Sequence, residues 1–280
     1  MRVVAIVILL VAGVAAAAPS VKEELSTALE DVVQIDPSPP PRFAWSNDSV
    51  YAAGKMDGVR PNFLASAIKL SNVVVATSSD GKSAWLAADA KGVPQSGDCA
   101  PGPCAPNRAP PLHVTAVFER GTKDWAWVAW HIAEPVDAKS QAYLNKEKTA
   151  PDKLERAITG AEEAVKVFEA SLVDSKSLGA TVSARKDVVL YGSDAKERTV
   201  GGPKVKAKLA AWNLTFKLRD GVQAGVTASK NIAWVAANVD ATSAKKPKDP
   251  ASPYRVLAIY EQQADKSWKL VSLQFSVDKG

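Results

Sequence analysis

The sequence predicts an α+β fold written twice in tandem, and three observations carry that prediction. Apolar residues at helical spacing open each half of the chain. Segments rich in Val, Trp, Tyr and Phe, separated by tight turns, close each half as antiparallel strands. The two halves echo each other block by block, in the same order.

Residues 1–17, MRVVAIVILLVAGVAAA, hold one charge, Arg2, then an apolar run from Val3 to Val14 and small residues Ala15, Ala16 and Ala17. That is the layout of an export signal with an A-x-A site, cleaved after Ala17. A run of about a dozen apolar residues is short for a spanning helix, which needs about 20. The mature protein is therefore expected to be exported, periplasmic or secreted, with no transmembrane span after signal removal.

The first half, 21–136, opens with a helix over VKEELSTALEDVV and passes through the Gly-punctuated GKMDGV. Strands follow around GKSAWLAADA (81–90), PLHVTAVFE (111–119) and DWAWVAWHIA (124–133). Between the first two of these, the Pro/Gly/Ser-rich stretch 92–111 contains CAPGPC. An oxidising compartment favours a local disulfide between Cys99 and Cys104. A redox pair or half of a metal site are the alternatives. A redox pair has two intervening residues rather than four, and further ligands for a metal are not evident nearby. Residues 137–150 read as a polar connector or the start of the next helix.

In the second half, 151–280, helical spacing of Leu154, Ile158, Ala161, Val165, Phe168 and Leu172 predicts a helix over DKLERAITGAEEAVKVFEASLVD (152–174). GSDAKERTVGG then leads into a short helix, and strands are expected at 213–219, 222–229, 232–240, 254–262 and 267–277. Within the repeat, Trp85 falls on Trp234, Asp89 on Asn238, Glu119 on Glu261, Trp125 on Trp268 and His131 on Gln274. Length differences between the halves are confined to loops, the largest being the one that carries CAPGPC.

Composition excludes several classes. Apolar residues make up 46% of the chain and charged residues 23%, which rules out a disordered chain, a collagen-like repeat and a disulfide-rich miniprotein. The net charge of +5 conceals an asymmetry: 18–136 carry −3 and 137–280 carry +7. The basic half suits anionic envelope components or an acidic partner. Its lysines are scattered without an aromatic platform, so nucleic-acid binding is not expected.

Helices first, a Gly-rich corner and then long antiparallel strands, above all GSDAKERTVGGPKVKAKLAAW (192–212) and SWKLVSLQFS (267–276), resemble the SnoaL-like branch of the nuclear transport factor 2-like superfamily. The resemblance covers nearly all of the mature chain as two tandem copies. It implies two cone-shaped domains, each a curved antiparallel sheet wrapped around N-terminal helices and enclosing a pocket. The superfamily hosts isomerases, cyclases, dehydratases and hydrolases beside members that only bind or assemble, so the fold does not select an activity. The matching last strand often carries a His in this branch. His131 holds that place, whereas the second copy has Gln274.

The candidate chemistry is sparse. His131 is a possible donor or general base, and Asp89, on the strand face of Trp85, a possible acid. Trp85, Trp234, Asn238 and Gln274 are the candidate ligand-binding residues. Glu119 and Glu261 read as solvated turn carboxylates. A hairpin turn centred on Gly121–Thr122 would set His131 opposite Leu112 and His113 opposite Trp130, with the two histidines on opposite faces. One face of this hairpin would carry Val114, Ala116, Phe118, Trp125, Trp127 and Ala129, and the other Thr115, Val117, Ala126, Val128, Trp130 and Ile132. A sheet apolar on both faces has a second face to bury, by sheet-to-sheet packing of the two copies or by a homodimer. Metalloprotease, nucleophile-elbow, phosphate-loop and dinucleotide motifs are absent, so neither metal nor cofactor is expected. The expected function is non-catalytic binding of a small apolar ligand or a protein partner. The alternative is proton-transfer or hydrolytic chemistry on a small organic substrate in the first copy.

Overall fold

In the computed structural model, residues 20–33, 48–52, 67–93, 111–122, 124–136 and 153–277 are described. The segment expected to be an export signal and the loop of the expected Cys99–Cys104 disulfide lie outside them. The fold is α+β: an antiparallel five-stranded sheet and a mixed seven-stranded sheet lie face to face, with helices on their outer sides.

Helix α1 (Val21–Val33) begins at a capping box, with the Glu23 N–H donating to Ser20 Oγ at 3.3 Å and the Ser20 N–H to Glu23 Oε2 at 2.7 Å. One helical turn apart, Leu25 and Leu29 are fully buried against the first sheet. That sheet comprises β1 (Asp48–Ala52), β2 (Ala67–Thr77), β3 (Ser83–Val93), β4 (Leu112–Arg120) and β5 (Trp125–Ala133), in the order β1-β5-β4-β3-β2.

The second half departs from the sequence reading at its start. The helix expected over 152–174 covers only Glu162–Ser171 (α2). Ahead of it the chain is extended: the Leu154 carbonyl accepts from the Gly221 N–H at 2.9 Å, and β6 (Ala157–Thr159) pairs in parallel with Gln223–Gly225. Gly160, at φ +70, then turns the chain into α2. The apolar spacing of Leu154 and Ile158 fits either conformation, and strand pairing decided between them.

After α2 come α3 (Ser175–Ala180), β7 (Val189–Tyr191), β8 (Arg198–Val200) and α4 (Gly202–Trp212). Gly202 permits a close crossing, since a Cβ there would sit 1.9 Å from the Ser183 carbonyl. Strands β9 (Leu214–Val226), β10 (Ile232–Ser243), β11 (Ser252–Gln262) and β12 (Trp268–Ser276) complete a sheet ordered β6-β9-β10-β11-β12-β7-β8. The two strands expected at 213–219 and 222–229 are one strand, β9, bent at a bulge over 219–221.

Three apolar clusters account for the layering. Phe168, Leu178, Val205 and Leu209 of the helices, with Leu172 just beyond α2, meet one face of the second sheet. Leu25 and Leu29 meet the Trp-rich face of the first. Between the sheets lie Trp85, Ala87, Val117 and Ala129 from one, and Trp234, Ala236, Leu257, Ile259 and Val271 from the other.

Candidate functional site

The position of every candidate side chain follows from strand register, and the β4–β5 register differs from the expected one. His113 pairs with Ala133 and Thr115 with His131, up to a bulge at which Val117 pairs with Ala129 and Phe118 with Trp127. Val128 is the extra residue. Paired residues share a face and residues two apart share a face, so His113 and His131 point to the same side, towards the second sheet. The bulge also corrects the expected faces. Trp125, Trp127, Trp130 and Ile132 all turn to the α1 side, while Val117, Val128 and Ala129 turn to the seam. The second sheet has the same bulge, with Ile259 opposite Ser272, Tyr260 opposite Leu270 and Val271 extra. Val128 and Val271 are matched by the same sequence correspondence that sets Trp125 on Trp268.

The sequence-derived candidates fall on the seam between the sheets. His131, fully buried, has Nε2 2.7 Å from Ser276 Oγ. Gln274, also fully buried, donates to the His113 carbonyl at 3.2 Å. Trp85 donates its indole N–H to Glu261 Oε1 at 2.9 Å. Trp234 lies buried in the same cluster, and its ring packs on Gly225, where a Cβ would approach it to 2.6 Å. The two turn carboxylates are not simply solvated. Glu261 also pairs with Arg185, and Glu119 accepts from the Ala228 N–H at 2.7 Å. They end strands whose tips meet the opposite sheet, so each caps a donor there.

Asp89 and Asn238 occupy bulge sites of their own. Asn72, in the left-handed region at φ 53, donates to Asp89 Oδ2 at 2.6 Å, and Asn238 donates to Asp220 Oδ2 at 3.0 Å. The amide and the carboxylate have exchanged places between the sheets: strand Asp with bulge Asn in one, strand Asn with bulge Asp in the other.

Around Asp89 the seam is most polar. Arg198 Nε lies 3.9 Å from Asp89 and donates to the Tyr191 hydroxyl at 3.2 Å, while Nη2 donates to the Asn72 carbonyl at 2.8 Å. Tyr191 stacks on His113 with ring centroids 4.3 Å apart. Burial pushes the His113 pKa down to about 4, with Asp89 opposing and Arg198 reinforcing the shift. Burial raises that of Tyr191. Both rings are neutral near pH 7. Arg198 and Tyr191 escaped the sequence reading because they come from short strands more than a hundred residues from Asp89, and only the sheet contact brings them together.

The other face of the first sheet offers different chemistry. Phe118, Trp127 and Trp130 pack edge to face or tilted, with centroids 5.0 and 5.5 Å apart, on the same face as the small residues Ala84, Ala88, Ala90 and Ala116. Trp125 is tied to α1 through its N–H to Glu24 Oε2 at 2.9 Å. The indole N–H of Trp127, a residue 6% exposed, has no hydrogen-bond acceptor among the described residues. No three of His, Cys, Asp and Glu converge there as a metal site, again among the described residues.

No protein family's sequence profile matches the chain, and no curated protein does. Solved structures similar to part of it include a nuclear transport factor 2-like protein of unknown function from Pseudomonas putida KT2440, at 13% identity over 42% of this chain and 87% of that one, TM-score 0.34. A ketosteroid isomerase-like protein from Erwinia carotovora atroseptica SCRI1043 matches at 18% identity over 43% and 92%, TM-score 0.31. A nuclear transport factor 2 (NTF2-like) superfamily protein from Salmonella enterica serovar Typhimurium LT2 matches at 11% identity over 50% and 94%, TM-score 0.33. Each likeness spans half of this chain or less.

Proposed function

We propose that the chain is an exported, non-catalytic binding protein made of two SnoaL-like halves fused back to back, holding a small apolar ligand between α1 and the first sheet. The observation that carries the reading is the Trp127 indole. A buried donor without an acceptor costs about 1–3 kcal/mol, and a ligand carbonyl or ether oxygen among Phe118, Trp130 and the alanine floor would satisfy it. The shared bulges at Val128 and Val271 support the reading of two matching halves.

The enzymatic alternative loses ground on direction. His131 and Asp89 face the second sheet rather than α1, and both are engaged, one with Ser276 and the other with Asn72 and Arg198. A general base already bonded across a buried seam is poorly placed to reach a substrate proton.

Nile red, a neutral dye with a carbonyl acceptor, tests the proposal by fluorescence titration, alongside mass spectrometry of whatever copurifies. Trp127→Phe keeps the ring and removes the donor, and should weaken dye binding by about tenfold, the equivalent of one hydrogen bond. Equal affinity in the variant would remove the basis of the reading.

A further inference from the structure

We propose that the outward face of α3 and α4, together with the loop after β10, docks on a membrane leaflet carrying anionic headgroups. Helix α4, GPKVKAKLAAW, is apolar on two opposite sides. Gly202, Val205 and Leu209 face the core and are buried. Pro203, Ala207, Ala210 and Ala211 form the opposite stripe, and all four are exposed. Winding at 3.6 residues per turn puts Lys204 and Lys208 along one margin of that stripe and Lys206 along the other. No acidic residue lies on the helix.

The neighbouring elements extend the same chemistry. Gly179 of α3 lies 3.8 Å (from its projected Cβ) from Lys206 Cγ, so the two helices are side by side, and α3 exposes Lys176 and Ala180. At the far end of α4 the Ala244 N–H donates to the Asn213 carbonyl at 3.0 Å. That bond sets the exposed Lys245, Lys246 and Lys248 beside the end of the helix. The acids in this region are few: Asp174 caps α3, Glu197 lies 4.0 Å from Lys208, and Asp249 is exposed in the loop.

An apolar stripe of small side chains flanked by lysines fits a lipid surface better than an acidic protein. The alanines can rest at headgroup level while the lysine stems spread sideways and keep their ammonium groups among phosphates. Each lysine near an anionic leaflet strengthens the contact by about fivefold, so several together hold a surface that one could not. Among the described residues no helix is long and apolar enough to cross a membrane, so the contact proposed is with the surface alone. The net charge of +7 over 137–280, against −3 over 18–136, orients this half towards the leaflet.

Flotation of the full chain with vesicles tests the idea, using phosphatidylcholine alone and phosphatidylcholine with about one-third phosphatidylglycerol. Binding is expected only to the anionic vesicles and should fall steeply as salt rises. Lys204→Glu with Lys206→Glu should reduce the bound fraction by about tenfold or more. Ala207→Glu should also weaken binding, whereas Lys69→Glu with Lys91→Glu, exposed on the first sheet, should leave it unchanged. Thermal melts of each variant separate loss of docking from loss of fold. The proposal is overturned by absence of binding to anionic vesicles at low salt, by equal losses in both lysine pairs, or by binding to a soluble acidic polymer without binding to vesicles.

Discussion

The neutral ring of His113 makes a single residue visible in the pH dependence of the whole protein. Its pKa is held near 4 by burial, below the value of about 6.5 that an unfolded histidine shows. Between those values the unfolded chain binds a proton that the folded ring does not, so stability is fully present above about pH 6.5 and is lost as pH falls towards 4, on the order of 3 kcal/mol. His113→Phe keeps a ring for Tyr191 to stack on and removes the titration. Its urea unfolding free energy should fall less between about pH 7.5 and 4.5 than that of the parent protein. The exchanged amide–carboxylate pairs invite a second measurement. Asn238→Asp would set a buried carboxylate against Asp220 and should cost about 2–4 kcal/mol at neutral pH. Adding Asp220→Asn recreates the arrangement of Asn72 and Asp89 and should restore most of that loss. A double-mutant cycle with no recovery would show that the pair acts through something other than its hydrogen bond.

At the scale of elements, the bulges decide which face each tryptophan serves. Side chains alternate along a strand, so one inserted residue sends everything beyond it to the other side. Val128 is that insertion in β5: it lets Trp125 and Trp127 share the α1 face with Trp130 and Ile132 while Ala129 and His131 keep the seam. Deleting Val128 should drive either the tryptophans into the seam or His131 under α1. Either outcome should cost more than about 4 kcal/mol, read as a collapse of the thermal transition. A deletion variant that melts like the parent protein would mean the register is set elsewhere. The extended start of the second half belongs to this scale too. Leu154 and Ile158 fit a helical stripe, but Gly221, where a Cβ would lie 2.5 Å from the Leu154 carbonyl, admits the passing backbone of 154–156.

Across the whole molecule, the seam is apolar in its middle and polar towards its margins, the anatomy of a protein–protein interface. Leu257, Ile259, Val271, Val117 and Ala129 form the centre. Trp85 with Glu261, and Ser83 with Ser229 at 2.8 Å, hold one end, and Asp89 with Arg198 the other. Expressed separately, residues 18–136 and 151–280 would each expose that centre. Mixed, they should form a one-to-one complex by light scattering, and Leu257→Asp in the second fragment should abolish it. Two fragments that stay monomeric and ignore each other would show that the seam contributes nothing to holding the chain together.

The α+β class, helix α1 with its boundaries, the long strands β3, β4, β5 and β10 to β12, and two sheet faces in need of cover were all legible from periodicity and composition. These are local properties, written in the alternation of side chains and in the residues that stop them. The candidate residues were legible as types, but their directions were not. A shift in hairpin register and one bulged valine placed His113 and His131 on the same face, and contact between sheets brought Arg198 and Tyr191 to Asp89. Such contacts join residues more than a hundred positions apart, and no window along the chain contains them. The sequence alone determined the α+β class, the first helix and the long strands whose side chains alternate most clearly. The tertiary structure decided which face is seam and which lies under α1, because burial is a property of what packs against a residue.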